Sequence, residues 1–324
     1  MKMLKFAAAV AAMLTGVLSV SAQNYPAKPV TIIVPFAAGG PTDVLARLLA
    51  DRMRISLGQT VLIENVTGAG GSLGVARAVR AAPDGYTVSI GHWSTHVVNG
   101  AIYPLTYDLL TDFEPVALLP SNPQLIVAKN TIPATDLKGL IAWIKANDGK
   151  VSAGTAGAGS ASHIGGIYFQ SATGTNLQFV PYRGTGPAMQ DLVGGQIDIM
   201  LDQSSNSLPQ VREKKIKAFA VTAKTRLPSA PEIPTVDEAG LPGFYISVWH
   251  GLWVPKGTPK DVIAKLTKAA QDSMADPTVR QRLAEAGQEI PPRELQTPQG
   301  LGAHHKAEIE KWWPLIKAAN VKVN

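Results

Sequence analysis

Val30-Thr31-Ile32-Ile33-Val34-Pro35-Phe36-Ala37-Ala38-Gly39-Gly40-Pro41-Thr42-Asp43 is the stretch whose reading decides the fold. Its apolar, β-branched start reads as a buried strand. The two glycines permit a tight turn, and Pro41 suits the first position of a helix, where a missing N–H costs nothing. Over residues 42–57, Val44, Leu45, Leu48, Leu49 and Met53 recur on one face at helical spacing. Val61-Leu62-Ile63 is a second strand, the glycine loop from Thr67 to Gly74 leads to a helix near 75–82, and residues 86–90 form a third strand. This β-α-β-α-β order predicts an α/β fold with a parallel sheet and helices on its faces.

The pattern restarts downstream. Strands are predicted at 125–128, 151–155, 178–181, 197–201 and 216–222, with helices at 136–147, 161–173, 187–194 and 206–213. Residues 223–243 carry Pro228, Pro231, Pro234 and Pro242 and read as a crossing segment. A strand at 246–254 and helices near 259–275, 277–286 and 298–318 follow. Thr258-Pro259, Asp276-Pro277 and Thr297-Pro298 each set a capping residue before a proline at a helix start. A helix-rich tail of this kind is expected to return onto the first unit. The expected organisation is one lobe from residues 23–122 and 225–324 and a second from 123–224. Crossings near 118–123 and 223–235 would act as a hinge.

Lys2 and Lys5, an apolar run over residues 6–20 and the small-residue end Val20-Ser21-Ala22 have the anatomy of a secretory signal over residues 1–22. No later stretch approaches the ~20 consecutive apolar residues of a membrane span. The chain has no cysteine, so thiolate chemistry and disulfides are excluded. Its net charge of +6 is scattered, without the concentrated basic face of a nucleic-acid binder. A mild positive field fits a small anion.

Three loops join a strand end to a helix start: Phe36 to Thr42, Gly154 to His163, and Tyr182 to Pro187. The first backbone N–H groups of a helix lack internal partners and favour an anion. In open α/β sheets such strand ends are where ligands sit. Ser160 reads as an N-cap. Ser94 and Thr95 stand at the end of a central strand and can donate hydrogen bonds. Asp202 ends a strand, where it can orient a water, meet a ligand ammonium, or cap the following helix. Phe36 and Trp249 can supply apolar walls.

Gly70-Gly71-Ser72-Leu73-Gly74 matches a nucleophile elbow between a strand and a helix, so an exported serine hydrolase using Ser72 is the alternative reading. The dinucleotide fingerprint fails at Leu73, no phosphate-binding Walker sequence occurs, and no cofactor is expected. His92 and His96 stand four apart, but Gly91 to Thr95 reads as a loop with no acidic third ligand nearby. A structural or surface role is expected for them, as for His304 and His305, and no metal site is expected.

Taken together these segments resemble the Bug family, the periplasmic solute-binding receptors of tripartite tricarboxylate transporters. The resemblance runs through Tyr25-Pro26, Pro35 to Gly40 with Asp43, Glu64-Asn65, Gly68 to Gly71 and Ala82 to Thr87. It continues through Tyr182-Arg183-Gly184, Gly186-Pro187-Ala188, Asp191-Leu192, Gly194 to Asp198, and Gly251 to Pro259. It implies a two-lobed periplasmic binding protein of the type II, Venus-flytrap kind, hinged between its lobes. It also implies a small organic carboxylate held by loop amides, hydroxyls and bridging waters. The residues it places at the ligand are Phe36, Ala38, Gly39, Thr42, Ser94, Thr95, Gly157, Ser160, His163, Gly184, Thr185 and Asp202. Membrane transporter subunits are the implied partners of a monomeric, non-catalytic receptor.

Overall fold

Alternation along the first strand sets the layers. In β1 (Val30–Val34), Ile32 and Val34 point into one apolar cluster and Ile33 into another, as a period of two demands of a strand buried on both faces. The computed structural model describes residues 25–318, so the secretory-signal reading of residues 1–22 lies outside the described residues. Parallel to β1 run β2 (Val61–Asn65) and β3 (Thr87–His92). Helix α1 (Pro41–Leu57) lays Leu45, Leu49 and Met53 on the first cluster, while α2 (Ser72–Val79) covers the opposite face. A π-helical turn (Ser94–Val98) and the short α3 (Asn99–Ile102) follow β3.

The long strand β4 (Phe113–Lys129) belongs to both halves of the molecule. Helix α4 (Leu137–Ala146), β5 (Ser152–Thr155), α5 (Ala161–Thr173), β6 (Gln178–Pro181), α6 (Thr185–Val193), β7 (Ile199–Gln203), α7 (Ser204–Arg212) and β8 (Ile216–Val221) make the second half. The chain then returns through β9 (Ser247–Pro255), α8 (Lys260–Ala275), α9 (Pro277–Glu285) and α10 (Pro298–Ala318). The strand order is β2-β1-β3-β9-β4-β7-β5-β6, with β8 also on β4. Up to the pair Pro123↔Ser247, β4 runs antiparallel to β9; from Gln124↔Gln203 it runs antiparallel to β7, and from Leu125↔Val221 to β8. The two halves are therefore joined by two adjacent extended strands.

Residues 113–124 were not predicted as strand, and the reason is Pro115, Pro120 and Pro123. Proline cannot donate to a ladder and is tolerated at bulges. The register of β4 on β9 shifts between Pro115 and Ala117 and again between Leu119 and Ser121. The second crossing also differs from expectation. Leu227, Ala230 and Ile233 pack with Leu125 and Val127, and Val236, Phe244 and Ile246 with Ile126 and Phe219. Residues 225–246, expected in the first lobe, thus belong by packing with the second half, and the chain crosses at Ile246, whose N–H donates to Thr222 O. The tail packs on the first half: Leu266 and Ala270 of α8 join the β1 cluster, and Leu301 and Ile309 of α10 join Trp93 and Trp253. Asp276 and Thr297 cap their helices, but Thr258 instead donates to Pro255 O, and α8 starts at Lys260 without a side-chain cap. Among the described residues no helix is long and apolar enough to cross a membrane.

Candidate functional site

Where the two halves face each other, a narrow cleft is lined by the strand ends and helix starts of both. On the first side stand Phe36, Gly40, Pro41, Thr42 and His92. The crossing strand supplies Gln124, and the second side supplies Ala156, Ser160, Ala161, Ser162, Thr185, Asp202 and Gln203. Neither Lys nor Arg lines it.

The loop after β1 is held by a buried carboxylate. Asp43, in the first turn of α1, accepts from Gly39 N–H (2.9 Å), Asn65 Nδ2 (2.9 Å) and Arg47 Nε and Nη2 (2.9 Å each). Asn65 Nδ2 also reaches Phe36 O at 2.9 Å. Gly39 takes φ +83, a left-handed conformation that glycine adopts without a Cβ penalty. Burial pushes the Asp43 carboxyl up, but the bonds from Arg47, Gly39 and Asn65 outweigh it and hold the group below its ordinary range. Asp43 is therefore an internal brace of the loop. The N–H groups of Thr42 and Asp43, in the first turn of α1, have no intrahelical acceptor.

Beneath this loop lie two histidines paired across β3 and β9, His92 opposite His250. The His92 ring stacks on Phe36 (centroids 4.9 Å, 4° between planes) and meets His250 edge-on at 5.4 Å. His92 Nδ1 accepts Ser94 N–H at 3.1 Å, so the neutral ring carries its proton on Nε2. Burial first, then His250, keeps His92 well below the ordinary histidine range. His250 has the other tautomer: its Nδ1 must donate to Pro120 O at 3.1 Å, leaving Nε2 to accept the Thr42 hydroxyl at 3.2 Å. Burial pushes His250 down to about 4.

The second side repeats the strand-loop-helix corner. Ser160 caps α5, accepting His163 N–H, and Ser162 Oγ accepts Ala156 N–H at 2.9 Å. At the end of β7, Asp202 is 1% exposed. Its Oδ2 accepts from Asn206 Nδ2 (2.6 Å) and Ser207 Oγ (3.0 Å), while Oδ1 has no hydrogen-bond partner. Burial pushes Asp202 up to about 6, against the lowering by Asn206, Ser207, Thr185 and the Gln203 N–H.

The halves touch directly at the rim. Ala37 N–H donates to Arg183 O (3.0 Å), and Tyr103 Oη donates to Ala158 O (2.7 Å). A Cβ on Gly186 would stand 3.0 Å from the backbone of Gly39 and Gly40, so the bare α6 start lets two main chains meet.

Of the residues expected at the ligand, the structure gathers Phe36, Thr42, Ser160, Thr185 and Asp202 in the cleft. The others lie around it. Gly39 N–H and Ala37 N–H are already taken by protein acceptors, Ala38 belongs to the same braced loop without lining the cleft, and Gly184 packs against Ala37. Gly157 faces the Tyr182 carbonyl and Gly70. Ser94 and Thr95 are buried behind His92: the Thr95 hydroxyl accepts His92 N–H and donates to His92 O, which leaves no proton for a ligand. His163 turns to Phe179 and takes Gly159 N–H on Nδ1. Trp249 lines a different groove and donates to Glu308. Ser162 lies in the loop expected at the ligand, whereas Gln124 and Gln203 were not expected at the cleft and His92 was expected in a structural or surface role. The predicted loop at 91–95 is strand as far as His92, and that extension carries its ring to the cleft. Ser72 begins α2 in a recess with Arg77, Arg80, Tyr103 and Tyr107, and none of the six histidines lines it.

A sequence model described as the tripartite tricarboxylate transporter family receptor matches residues 45–321. The chain is 43% identical, over 91% of its length and 86% of the other's, to the "UPF0065 protein in the TAR-I ttuE-ttuC' intergenic region" of Agrobacterium vitis. Among solved structures it is similar to the periplasmic binding protein BugD, with a TM-score of 0.89 and 43% identity over 92% of this chain and 99% of that one. It is similar also to MatC of Rhodopseudomonas palustris with bound malate, with a TM-score of 0.87 and 41% identity over 90% of this chain and all of that one.

Proposed function

The chain belongs to the tripartite tricarboxylate transporter receptor family, and from that premise we propose that it is an exported, monomeric periplasmic receptor that captures a small carboxylate in this cleft and presents it to membrane transporter subunits. The observation that carries this reading is a cleft built from helix starts and small hydroxyl side chains of two halves, with no cationic side chain. Such a site can hold a carboxylate through first-turn N–H groups, His92 Nε2–H and the one proton left free by the Ser160–Ser162 hydroxyl pair.

The lobes of this reading are residues 25–122 with 247–318, and 123–246. They hinge on the two adjacent strands β4 and β9. A carboxylate meets the α1 start and His92 of the first lobe, and the second lobe then turns in. Closure follows ligation only because the closed form makes more contacts to the solute than the open one. The rim contacts Ala37–Arg183 and Tyr103–Ala158 belong to the closed form.

Thermal unfolding and titration calorimetry of the mature chain against di- and tricarboxylates, acidic amino acids and aromatic acids test this. At least one acid raises the melting temperature with 1:1 stoichiometry; a flat response across the panel sinks the reading. Ser72→Ala separates it from the hydrolase alternative. Ligand-dependent stabilisation survives the substitution if the chain is a receptor, whereas an ester-hydrolysing activity abolished by it would favour the enzyme.

A further inference from the structure

The cleft supplies more than donors. The carboxylate of Asp202 lines it, with Oδ2 engaged by Asn206 and Ser207 of α7 and Oδ1 partnerless at 1% exposure. Across the cleft, the proton of Thr42 is committed to His250 Nε2, because His250 Nδ1 is held as a donor by Pro120 O. The lone pairs of Thr42 Oγ1 are what it has left to offer. Gln124 Oε1 is also partnerless, but it rests on Gly165 of α5. A buried acceptor without a partner costs about 1–3 kcal/mol, and a ligand group that supplies the missing hydrogen recovers it. A solute made only of carboxylates and methylenes brings nothing but acceptors and C–H to Asp202.

We propose that the solute carries a hydrogen-bond donor, a hydroxyl or an ammonium group, beside its carboxylate, and that Asp202 Oδ1 receives it with Thr42 Oγ1 as the second acceptor. This rests on the carboxylate-receptor reading and narrows it to hydroxy or amino acids. The bonds from Asn206 and Ser207 to Oδ2 favour its ionised, accepting form, and no Lys or Arg of the cleft neutralises it.

The test is a length-matched series on the mature chain by titration calorimetry: succinate, malate and aspartate; glutarate, 2-hydroxyglutarate and glutamate; propanoate, lactate and alanine. In whichever series binds, the hydroxy or the amino acid binds at least ~10-fold tighter than its unsubstituted parent, and the arm that does so identifies the donor. A parent acid that binds as tightly as its congeners, in these series or on any skeleton found in the wider panel, overturns the proposal and leaves carboxylate capture standing. No carboxylate binding at all overturns both. Asp202→Asn brings the congener ratio close to one. An unchanged ratio in a folded variant overturns the assignment to Asp202. Should that variant not fold, Thr42→Val is read by the same ratio.

Discussion

The two halves build the same corner, a buried strand, a loop of small residues and a helix start, yet they satisfy its buried polar atoms in opposite ways. On the first side the carboxylate and the histidine acceptors that face the cleft have protein partners. Asp43 takes Gly39, Asn65 and Arg47; His92 takes Ser94; His250 lies between Pro120 and Thr42. On the second side, Asp202 keeps one buried oxygen without a partner. The contrast teaches that the first wall's carboxylate is satisfied by folding, whereas the second wall's keeps an acceptor open to the cleft.

The largest expected effect sets the histidines of the first half against Asp202. His250 and His305 are held down to about 4 by burial, against 6.5 in the unfolded chain. With depressed folded values, the unfolded chain takes up protons first, so their contribution is present above pH 6.5 and is lost as pH falls toward 4. Each is worth about 3 kcal/mol over that window. Asp202 acts in the other sense. Raised from 3.8 to about 6, it binds a proton in the folded state first, so it gains stability as pH falls from 6 to 4, by about 3 kcal/mol. Denaturant unfolding between pH 7 and pH 4 shows a net acid loss, and Asp202→Asn makes that loss steeper. A flat profile would show that the histidines are not buried as described.

Removing the brace comes next. Asp43→Ala strands the Gly39 N–H and the Asn65 amide and costs about 3 kcal/mol in chemical denaturation. A loss below about 0.5 kcal/mol, the range of ordinary surface changes, would mean that the loop after β1 is not pinned from within. For Asp202→Asn at pH 7 without ligand the expectation has the opposite sign, a gain of about 2 kcal/mol. The amide keeps an acceptor toward Asn206 and Ser207 and discards a buried charge. Equal losses from the two aspartates would erase the distinction between the walls.

Smallest is Gly186→Ala. Its Cβ meets the opposing main chain at 3.0 Å only where the halves touch, while alanine favours the helix it sits in by about 0.5–1 kcal/mol. Melting of the free protein is unchanged or slightly higher, and ligand affinity drops ~10-fold, a penalty of about 1.4 kcal/mol in the closed form. Unaltered affinity would place the close approach outside the binding step.

Much of this was legible in the chain. The corner Val30 to Asp43 folds locally, with Pro41 opening α1 and Gly39 turning the loop. Ser160 and Asp276 cap where side-chain chemistry says they should. The crossing strands were harder. Prolines at 115, 120 and 123 argue against a strand, and shifts in the pairing with β9 accommodate the first two while the third sits where β4 passes from β9 to β7. Ser94 and Thr95 looked available because a hydroxyl at a strand end usually is. Their partners on the same turn, His92 and its backbone, become visible only once β3 is seen to run to His92. His163 sits in the right loop on the wrong face of α5, one turn from the cleft and against Phe179.

What the amino-acid order determined alone is whatever depends on neighbours a few residues away: the strand-loop-helix corners, the caps, and the two alternating α/β halves. Which of those corners share one cleft, which tautomer His92 and His250 adopt, and which oxygen of Asp202 goes without a partner were decided by contacts between residues tens to hundreds of positions apart. Side-chain protons and lone pairs are allotted by three-dimensional neighbours, and no local pattern encodes that allotment.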